Sequence, residues 1–363
     1  MRKMKIHYLV TSLEGGGGTF AIPDIVRTLQ GLGHDVTIIV CEPRDLGGAV
    51  RLKEAGLSYH LLSSRRRSLP VILAAYMLKI WSDRPDVIWS SFSWATRIGV
   101  WAGRITGIPV IGFKHSVSVR QGVYKVRNRP CLWVGDSQTV ANYLRNEWHI
   151  PAQKVMAWPL YQSNPMMPEA QPWDGQSVLQ LGSVGRLHDV KNYAGLIDAI
   201  AIFLDKHPDY KTRIKLTILG DGPEEKALQE KIARLGLEEV VLLAGFSPNV
   251  ADFLKTLHVY IQTSRYEGMC LAVHEAMNAA LPVIATPVGE IRDAVKNGKT
   301  GYTLTDELSS SFTTILEHIF ENPSELSSYG HEARNYVLTQ FSKQKYIEAA
   351  ANILKRVSDK SST

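Results

Sequence analysis

Hydrophobic positions along this chain gather into short runs separated by longer stretches with helical spacing. The first run, residues 5–11, leads into a glycine-rich loop, after which a helical pattern over about 19–32 ends near Gly33 and a second apolar run occupies 35–41. Strand, loop, helix and strand in that order predict a β-loop-α-β unit. Similar runs at 87–90, 109–113 and 131–135 are separated by helical spacing, so the first half reads as a doubly wound parallel sheet.

Pro159, Pro165, Pro168 and Pro172 then fall in a stretch without periodicity, which predicts a linker. A second series starts at Ser177, with apolar runs at 178–184, 214–219, 240–244, 259–262, 282–285 and 301–304 and helix-length segments such as 193–206 and 224–235. This predicts a second parallel sheet. From 305 to about 357 the pattern is helical, with breaks near Pro323 and Phe341. The expected organisation is a first domain over 1–160, a linker over 161–176, a second domain over 177–340, and a C-terminal helix over 341–363 crossing back to the first domain. Because parallel sheets bind ligands at the carboxyl ends of their strands, the site is expected in a cleft between the domains.

Composition narrows the class. A chain of 363 residues exceeds the usual size of a single core, and 45% hydrophobic with 21% charged residues excludes disorder. Cys41, Cys131 and Cys270 stand far apart without a CxxC, offering neither a zinc site nor a disulfide framework and suiting a reducing cytoplasm. The apolar run 6–10 is too short for a signal-peptide core. The longest apolar stretch, 69–78, is about half of the roughly 20 residues a membrane span needs. Charge is unevenly divided: residues 1–160 carry 21 Lys/Arg against 10 Asp/Glu, and 161–363 carry 20 against 25, so the parts stand at +11 and −5. A basic first half suits an anionic partner such as a phosphate-bearing lipid surface, a phosphorylated acceptor or nucleic acid, and equally a solubilising surface.

The densest candidate chemistry lies in Ser264-Arg265-Tyr266-Glu267-Gly268-Met269-Cys270-Leu271, followed by a helix-like segment 272–280 that contains Glu275. A glycine-containing loop at a helix N-terminus presents free backbone N–H groups and the positive end of the helix dipole to a phosphate or hydroxyl. Glu275, expected near the first turn, can accept hydrogen bonds from ribose hydroxyls, and Glu267 from those of a sugar. Read alone, two glutamates eight apart suit a solvated surface as well as a site.

The surrounding motifs carry a resemblance. Glu267-Gly268…Glu275 resembles the E-x7-E motif of retaining GT-B glycosyltransferases of glycosyltransferase family 4, the group 1 type. Gly185-Arg186-Leu187…Lys191-Asn192 is similar to that family's G-R-L…K-N segment, and Leu219-Gly220-Asp221-Gly222-Pro223 to its G-x-G-P turn. Ala244-Gly245-Phe246, Pro282-Val283-Ile284-Ala285-Thr286, Gly289-Glu290, Asn297-Gly298 and Gly301 continue the match over nearly all of the second domain. In the first domain, Leu13-Glu14-Gly15-Gly16-Gly17-Gly18 resembles the family's glycine-rich loop, and His115 in Gly112-Phe113-Lys114-His115-Ser116 stands where many relatives carry a cleft histidine. A glycine run is also a flexible turn, and a lone histidine is more often structural. Gly135-Asp136-Ser137-Gln138 resembles a later turn of the family and reads as a helix cap. Trp158-Pro159-Leu160-Tyr161 departs from the P-N-G that relatives often carry there.

The resemblance implies a GT-B α/β fold, two doubly wound Rossmann-like domains facing across a cleft. It assigns Arg186 and Lys191 to the donor diphosphate, Glu267 to the donor sugar and Glu275 to the ribose, with Gly268 and the backbone N–H groups of Met269, Cys270 and Leu271 facing phosphate and sugar. Phe246 and Ser247 are placed near the base, Gly16, Gly17 and Gly18 against the donor phosphate and acceptor, and His115 against the donor sugar. The implied reaction moves a sugar with retention from a nucleoside-diphosphate sugar to a hydroxyl of a glycan or lipid-linked acceptor. Bacterial surface polysaccharide, lipopolysaccharide or glycolipid assembly is its implied setting, and the enzyme is hexosyltransferase-like. No carboxylate is placed as a covalent nucleophile, which leaves front-face substitution. No Asp-x-Asp occurs, so no metal and no cofactor are expected.

Arg65-Arg66-Arg67 precedes a segment that sets Leu69, Ile72, Leu73, Tyr76, Met77 and Ile80 on one helical face. That face suits either contact with an anionic membrane or packing into the core. A cytoplasmic protein, with the inner face of the membrane as a possible peripheral site, is the expectation. Two alternatives are a GT-B nucleotide-sugar epimerase and a non-enzymatic polyanion-binding protein. No nucleic-acid-binding module is present, so nucleic acid is not an expected partner.

Overall fold

The computed structural model describes residues 2–44 and 46–360, with the side chain of Lys360 not described. The chain divides into two units, one formed by residues up to Tyr161 together with those from Lys343 onward, the other by Gln162–Ser342. The last part of the segment assigned to the C-terminal helix, 361–363, lies outside the described residues.

The first unit is built on seven parallel strands: β1 (Lys5–Val10), β2 (Asp35–Val40), β3 (Tyr59–Leu61), β4 (Val87–Ser91), β5 (Val110–Lys114), β6 (Leu132–Gly135) and β7 (Val155–Ala157). Their order is β3-β2-β1-β4-β5-β6-β7, so the winding reverses between β1 and β4. Every residue of β4 and β5 is buried, as expected of central parallel strands covered on both faces. The edge strands β3 and β7, three residues each, are not among the predicted runs. The helix Lys343–Lys360 belongs to this unit: Tyr346 packs 5.0 Å from Trp158, and Arg356 donates to the Gln153 carbonyl at 3.2 Å.

One expectation for this unit changes, and one open alternative is decided. The glycine run is not wholly a loop: Gly17–Phe20 forms one helical turn capped by Gly16, held by Thr19 N–H and Phe20 N–H donating to the Gly16 carbonyl at 3.0 and 2.9 Å. The next helix, Ile22–Gly31, follows after a break at Ala21, with Pro23 accommodated in its first turn. In the helix Leu69–Asp83, the face offered to a membrane is the core face: Ile72, Tyr76 and Ile80 are buried with Ile39 and Ile88, and Leu69, Leu73 and Met77 pack against them.

The second unit repeats the plan with six parallel strands: β8 (Leu179–Val184), β9 (Ile214–Leu219), β10 (Val241–Leu243), β11 (Val259–Gln262), β12 (Val283–Ala285) and β13 (Gly301–Thr303). The order β10-β9-β8-β11-β12-β13 reverses between β8 and β11. Helix Tyr193–Lys206 shows why its sequence is helical: Tyr193, Leu196, Ile197, Ile200, Phe203 and Leu204 recur at three- and four-residue spacing and all enter the core. The proline-bearing segment after Tyr161 runs along this unit, with Asn164 N–H donating to Asn278 Oδ1 at 2.7 Å and Trp173 buried in the core. The breaks read at Pro323 and Phe341 fall where the helices Leu308–Glu321 and Glu325–Gln340 end.

In a doubly wound sheet, the loops leaving adjacent strands at the reversal diverge to opposite faces and open a crevice for ligands. The sequence motifs lie at these positions: the glycine run follows β1, Gly185-Arg186-Leu187 follows β8, and the Glu267 loop follows β11.

Candidate active site

In the second unit the crevice is assembled around Lys191. β8 pairs with β9 up to Val184 and Leu219, and Gly185 N–H donates to the Leu219 carbonyl at 3.0 Å. A Cβ on Gly185 would stand 2.8 Å from the Tyr193 hydroxyl and 3.1 Å from Lys191 Cε, so the missing side chain leaves the space that the lysine stem crosses. Lys191 ends the short 3-10 turn Asp189–Lys191, and Asn192 turns through a left-handed conformation (φ 54°) into the helix Tyr193–Lys206. Arg186 is exposed and among the described residues forms no ion pair.

From β11 the chain passes through Gln262, Thr263 and Ser264, all buried although polar. Their hydrogen bonds explain this placement. Thr263 Oγ1 donates to the Lys191 carbonyl at 3.0 Å, and Arg265 N–H to the Val190 carbonyl at 2.8 Å, which ties the two loops together. Tyr260 receives the Val184 N–H at 3.1 Å and donates to Gln262 Oε1 at 3.0 Å; Gln262 Nε2 donates to Ser264 Oγ at 2.7 Å. Ser264 Oγ then donates to Glu267 Oε1 at 2.6 Å, and the same oxygen receives Lys191 Nζ at 2.7 Å. A satisfied buried chain of this kind leaves the carboxylate a single low-energy position. Behind it, Gly289 adopts φ 57°, and a Cβ there would stand 2.6 Å from the carbonyl oxygens of both Glu267 and Gly268.

The electrostatics follow from burial and pairing. Burial alone would lower the Lys191 pKa, but the neighbouring Glu267 carboxylate, with its direct hydrogen bond, holds the ammonium above its ordinary range. Burial pushes the Cys270 thiol well up, so it is uncharged at neutral pH and Glu267 carries the pairing. A lysine has three N–H donors, so the Glu267 bond leaves donors for a phosphate.

Cys270, itself left-handed at φ 54°, caps the helix Leu271–Asn278. Met269 and Cys270 are buried and Leu271 is half-buried, so this helix start closes the crevice floor. Glu275 is the fifth helical residue, just past the first turn, and half-buried. On the far side of β9, Gly220 N–H donates to the Gly245 carbonyl at 2.7 Å and holds the turn that presents Phe246, 62% exposed, and the half-buried Ser247.

The first unit has its own assembly at the β1/β4 reversal. A Cβ on Gly18 would lie 3.1 Å from the Phe92 ring and 3.7 Å from His115 Cγ, so the glycine turn lies against both rings. Phe92 adopts φ 70°, a conformation rare for a bulky residue. His115 packs 4.7 Å from Phe92 and 4.4 Å from Phe113, and its Nε2 is 2.6 Å from Ser91 Oγ. Burial, with the Lys114 charge beside it, brings its pKa down to about 3, so the ring is neutral at physiological pH. Its Nδ1 lies 3.8 Å from Asp136, beyond hydrogen-bonding range.

A hydrogen bond thus joins Lys191 to Glu267, three residues before Cys270 caps the 271–278 helix, while Gly18 and His115 meet in the other unit. The sequence motifs do not single out Ser91, Phe92, Tyr260 or Gln262, and they include Ser264 without a role. A polar run ending an apolar strand is the one local signal for the last two.

Two Rossmann-like sheets in series with a crevice of this kind define the GT-B class. Comparison with a solved structure agrees: HepE of Anabaena, crystallised with UDP and glucose, superposes with a TM-score of 0.83 over 98% of this chain and 99% of that one, at 20% identity. Residues 15–160 match the model of Glycosyltransferase Family 4, and residues 175–336 that of Glycosyl transferases group 1. The chain belongs to the group 1 glycosyltransferases. A D-inositol 3-phosphate glycosyltransferase of Thermobispora bispora is 24% identical over 87% of this chain and 84% of its own length. The amylovoran biosynthesis glycosyltransferase AmsD of Erwinia amylovora is 34% identical over 38% of this chain and 37% of its own. Against three other curated relatives the chain spans 21%, 33% and 42% of their length, less than half in each.

Proposed function

We propose that this protein transfers a sugar from a nucleoside-diphosphate sugar to an acceptor hydroxyl. The observation that carries the reading is the Lys191–Glu267 pair, 2.7 Å apart at the β8/β11 reversal beside the start of the helix Leu271–Asn278. A fixed cation and a helix N-terminus stabilise the charge that develops on a departing diphosphate, and a fixed carboxylate orients sugar hydroxyls. Arg186 adds a second cation at the crevice, exposed and without an ion pair among the described residues. In this reading Glu275 receives the ribose, and Phe246 with Ser247 borders the base. Gly16, Gly17, Gly18 and His115 serve the donor phosphate, donor sugar and acceptor.

Retention of configuration belongs to the same proposal, by front-face substitution in which a diphosphate oxygen takes the acceptor proton. Arg186 and Lys191 supply the positive charge at the diphosphate, so activity is expected to survive a metal chelator. The acceptor class is a glycan or lipid-linked glycan of bacterial polysaccharide, lipopolysaccharide or glycolipid assembly. Support comes from relatives such as the amylovoran glycosyltransferase.

The test is calorimetric titration with UDP, GDP, ADP and UDP-glucose, starting with the uridine nucleotides because the HepE structures hold UDP and UDP-glucose. At least one is expected to bind, and Glu275→Ala to weaken it about tenfold or more with the fold intact by circular dichroism. Failure of every nucleoside diphosphate and nucleotide sugar to bind would sink the reading.

A further inference from the structure

We infer that Lys114, the last residue of β5, is a positioning residue for the crevice of the first unit: its caged ammonium fixes the turn that leaves β5 and, through that turn, the ring of His115. Lysine ordinarily keeps its ammonium in water. Lys114 is only 9% exposed. Its Nζ lies 4.9 Å from the centre of the Trp148 ring and 5.8 Å from that of Tyr143, which belongs to the helix Gln138–Asn146, and it donates to the Ser118 carbonyl at 2.8 Å. Two aromatic faces and one carbonyl recover part of the hydration that burial removes.

The cage joins two parts of the fold. Asp136 N–H donates to the Lys114 carbonyl at 3.0 Å, so β6 holds the main chain of this residue while its side chain holds the loop. Ser116 Oγ and Ser118 Oγ stand 2.8 Å apart, and with the Lys114–Ser118 bond they close residues 114–118 into one turn. His115 lies inside that turn and packs against Phe92, Phe113 and the Gly18 turn, with Ser91 Oγ at 2.6 Å from its Nε2. A change in the turn therefore moves the ring against the crevice wall. For packing alone a methionine would fill the cage without desolvating a charge. What the ammonium adds is attraction to both rings, and that attraction can be titrated away. Burial brings the Lys114 pKa down to about 8, with the Asp136 charge after β6 opposing the shift and the Arg120 charge beyond His115 adding to it. Tyr143 and His115 are the other titratable groups at the cage, and His115 stays neutral on both sides of that pH.

The test is NMR of the full chain with labelled histidine rings, followed from about pH 6.5 to 9.5. The His115 signal is identified by its loss in His115→Phe. It is expected to shift with a midpoint near pH 8, following a proton on Lys114 and not on its own ring. In Lys114→Arg, whose cation keeps its charge, and in Lys114→Met, which has none, that midpoint is expected to vanish while circular dichroism shows the fold intact. The consequence for turnover rests on the sugar-transfer reading and is followed as release of nucleoside diphosphate from the nucleotide sugar that binds. Lys114→Met is expected to lower kcat about tenfold with KM little changed, the parent to fall to the same level as pH passes 8, and Lys114→Arg to hold the higher value. A His115 signal that is flat through pH 8, or that keeps its midpoint in Lys114→Arg, would overturn the inference. So would a Lys114→Met variant that turns over like the parent at pH 7. Should no nucleotide sugar bind, the sugar-transfer reading fails, and the His115 midpoint still decides the role of Lys114.

Discussion

The two sheets share one topology, yet their reversal points are built from different materials. At β8/β11 the crevice is polar and charged, with Tyr260, Gln262, Ser264, Glu267 and Lys191 joined in one hydrogen-bonded chain. At β1/β4 it is aromatic and neutral: His115 is packed between Phe92 and Phe113 with the glycine turn against it. The first arrangement holds a charge in place. The second makes a shaped wall whose one titratable ring carries no charge at neutral pH. One winding rule therefore positions a crevice without dictating its chemistry.

That contrast breaks most severely at Lys191. Lys191→Ala leaves Glu267 buried without its cation, and a loss of about 3 kcal/mol in stability is expected, because removing one partner strands the other charge. Transfer is expected to fall on the order of a thousandfold, as for loss of a preorganised charge at a reacting group. Denaturant melts and steady-state kinetics measure the two effects, and adding Glu267→Gln is expected to restore stability but not turnover. Near-wild-type stability of Lys191→Ala would show that the pair does not organise the crevice.

Ser264→Ala probes the same chain one link away. Glu267 keeps Lys191 but loses the 2.6 Å hydroxyl bond, so stability is expected to drop by about 1 kcal/mol. The rate constant kcat is expected to fall about tenfold with KM little changed, the pattern of a residue that positions the carboxylate. An equal rise in KM would instead place Ser264 in ground-state binding.

The first unit is expected to answer to pH. The folded pKa of His115 lies near 3, below the roughly 6.5 of an unfolded histidine, so the folded state favours the neutral ring. Its contribution is complete above about pH 6.5 and is lost as pH falls toward 3, with a slope of up to about 1.4 kcal/mol per pH unit. Buried His274 in the second unit, brought down to about 4, acts in the same direction over a narrower window. His115→Phe is expected to flatten the first slope in denaturant melts between pH 4 and 7. An unchanged slope would mean the ring titrates freely. The smallest effect is expected at Phe246→Ala, a weakening of donor affinity by about fivefold with no change in melting temperature, because the ring is exposed.

Legibility differed between the units for a physical reason. The Gly185…Lys191 and Glu267…Glu275 segments were readable because each follows an apolar run and keeps its chemistry within a few residues. The roles of Ser264 and Gln262 are not legible in the sequence because they exist only once β11 lies beside β8 and Tyr260 meets Val184. Ser91 and Phe92 were missed because they end one strand while His115 follows the next. The glycine run misled in part: four glycines suggest a free loop, but local hydrogen bonds close a helical turn over Gly17–Phe20. On the helix Leu69–Asp83 periodicity picks out the face that meets the core, but not whether core or membrane covers it.

Sequence alone determined the two parallel sheets, the doubly wound succession and the motif loops, since these follow from local apolar runs and the residues that end them. The joining of Lys191 to Glu267, the neutral packing of His115 and the burial of Ile72, Tyr76 and Ile80 in the core were decided only in the folded chain. Each depends on residues distant in sequence becoming neighbours. Burial, charge pairing and the cover over a helix face are properties of that neighbourhood and of no single segment.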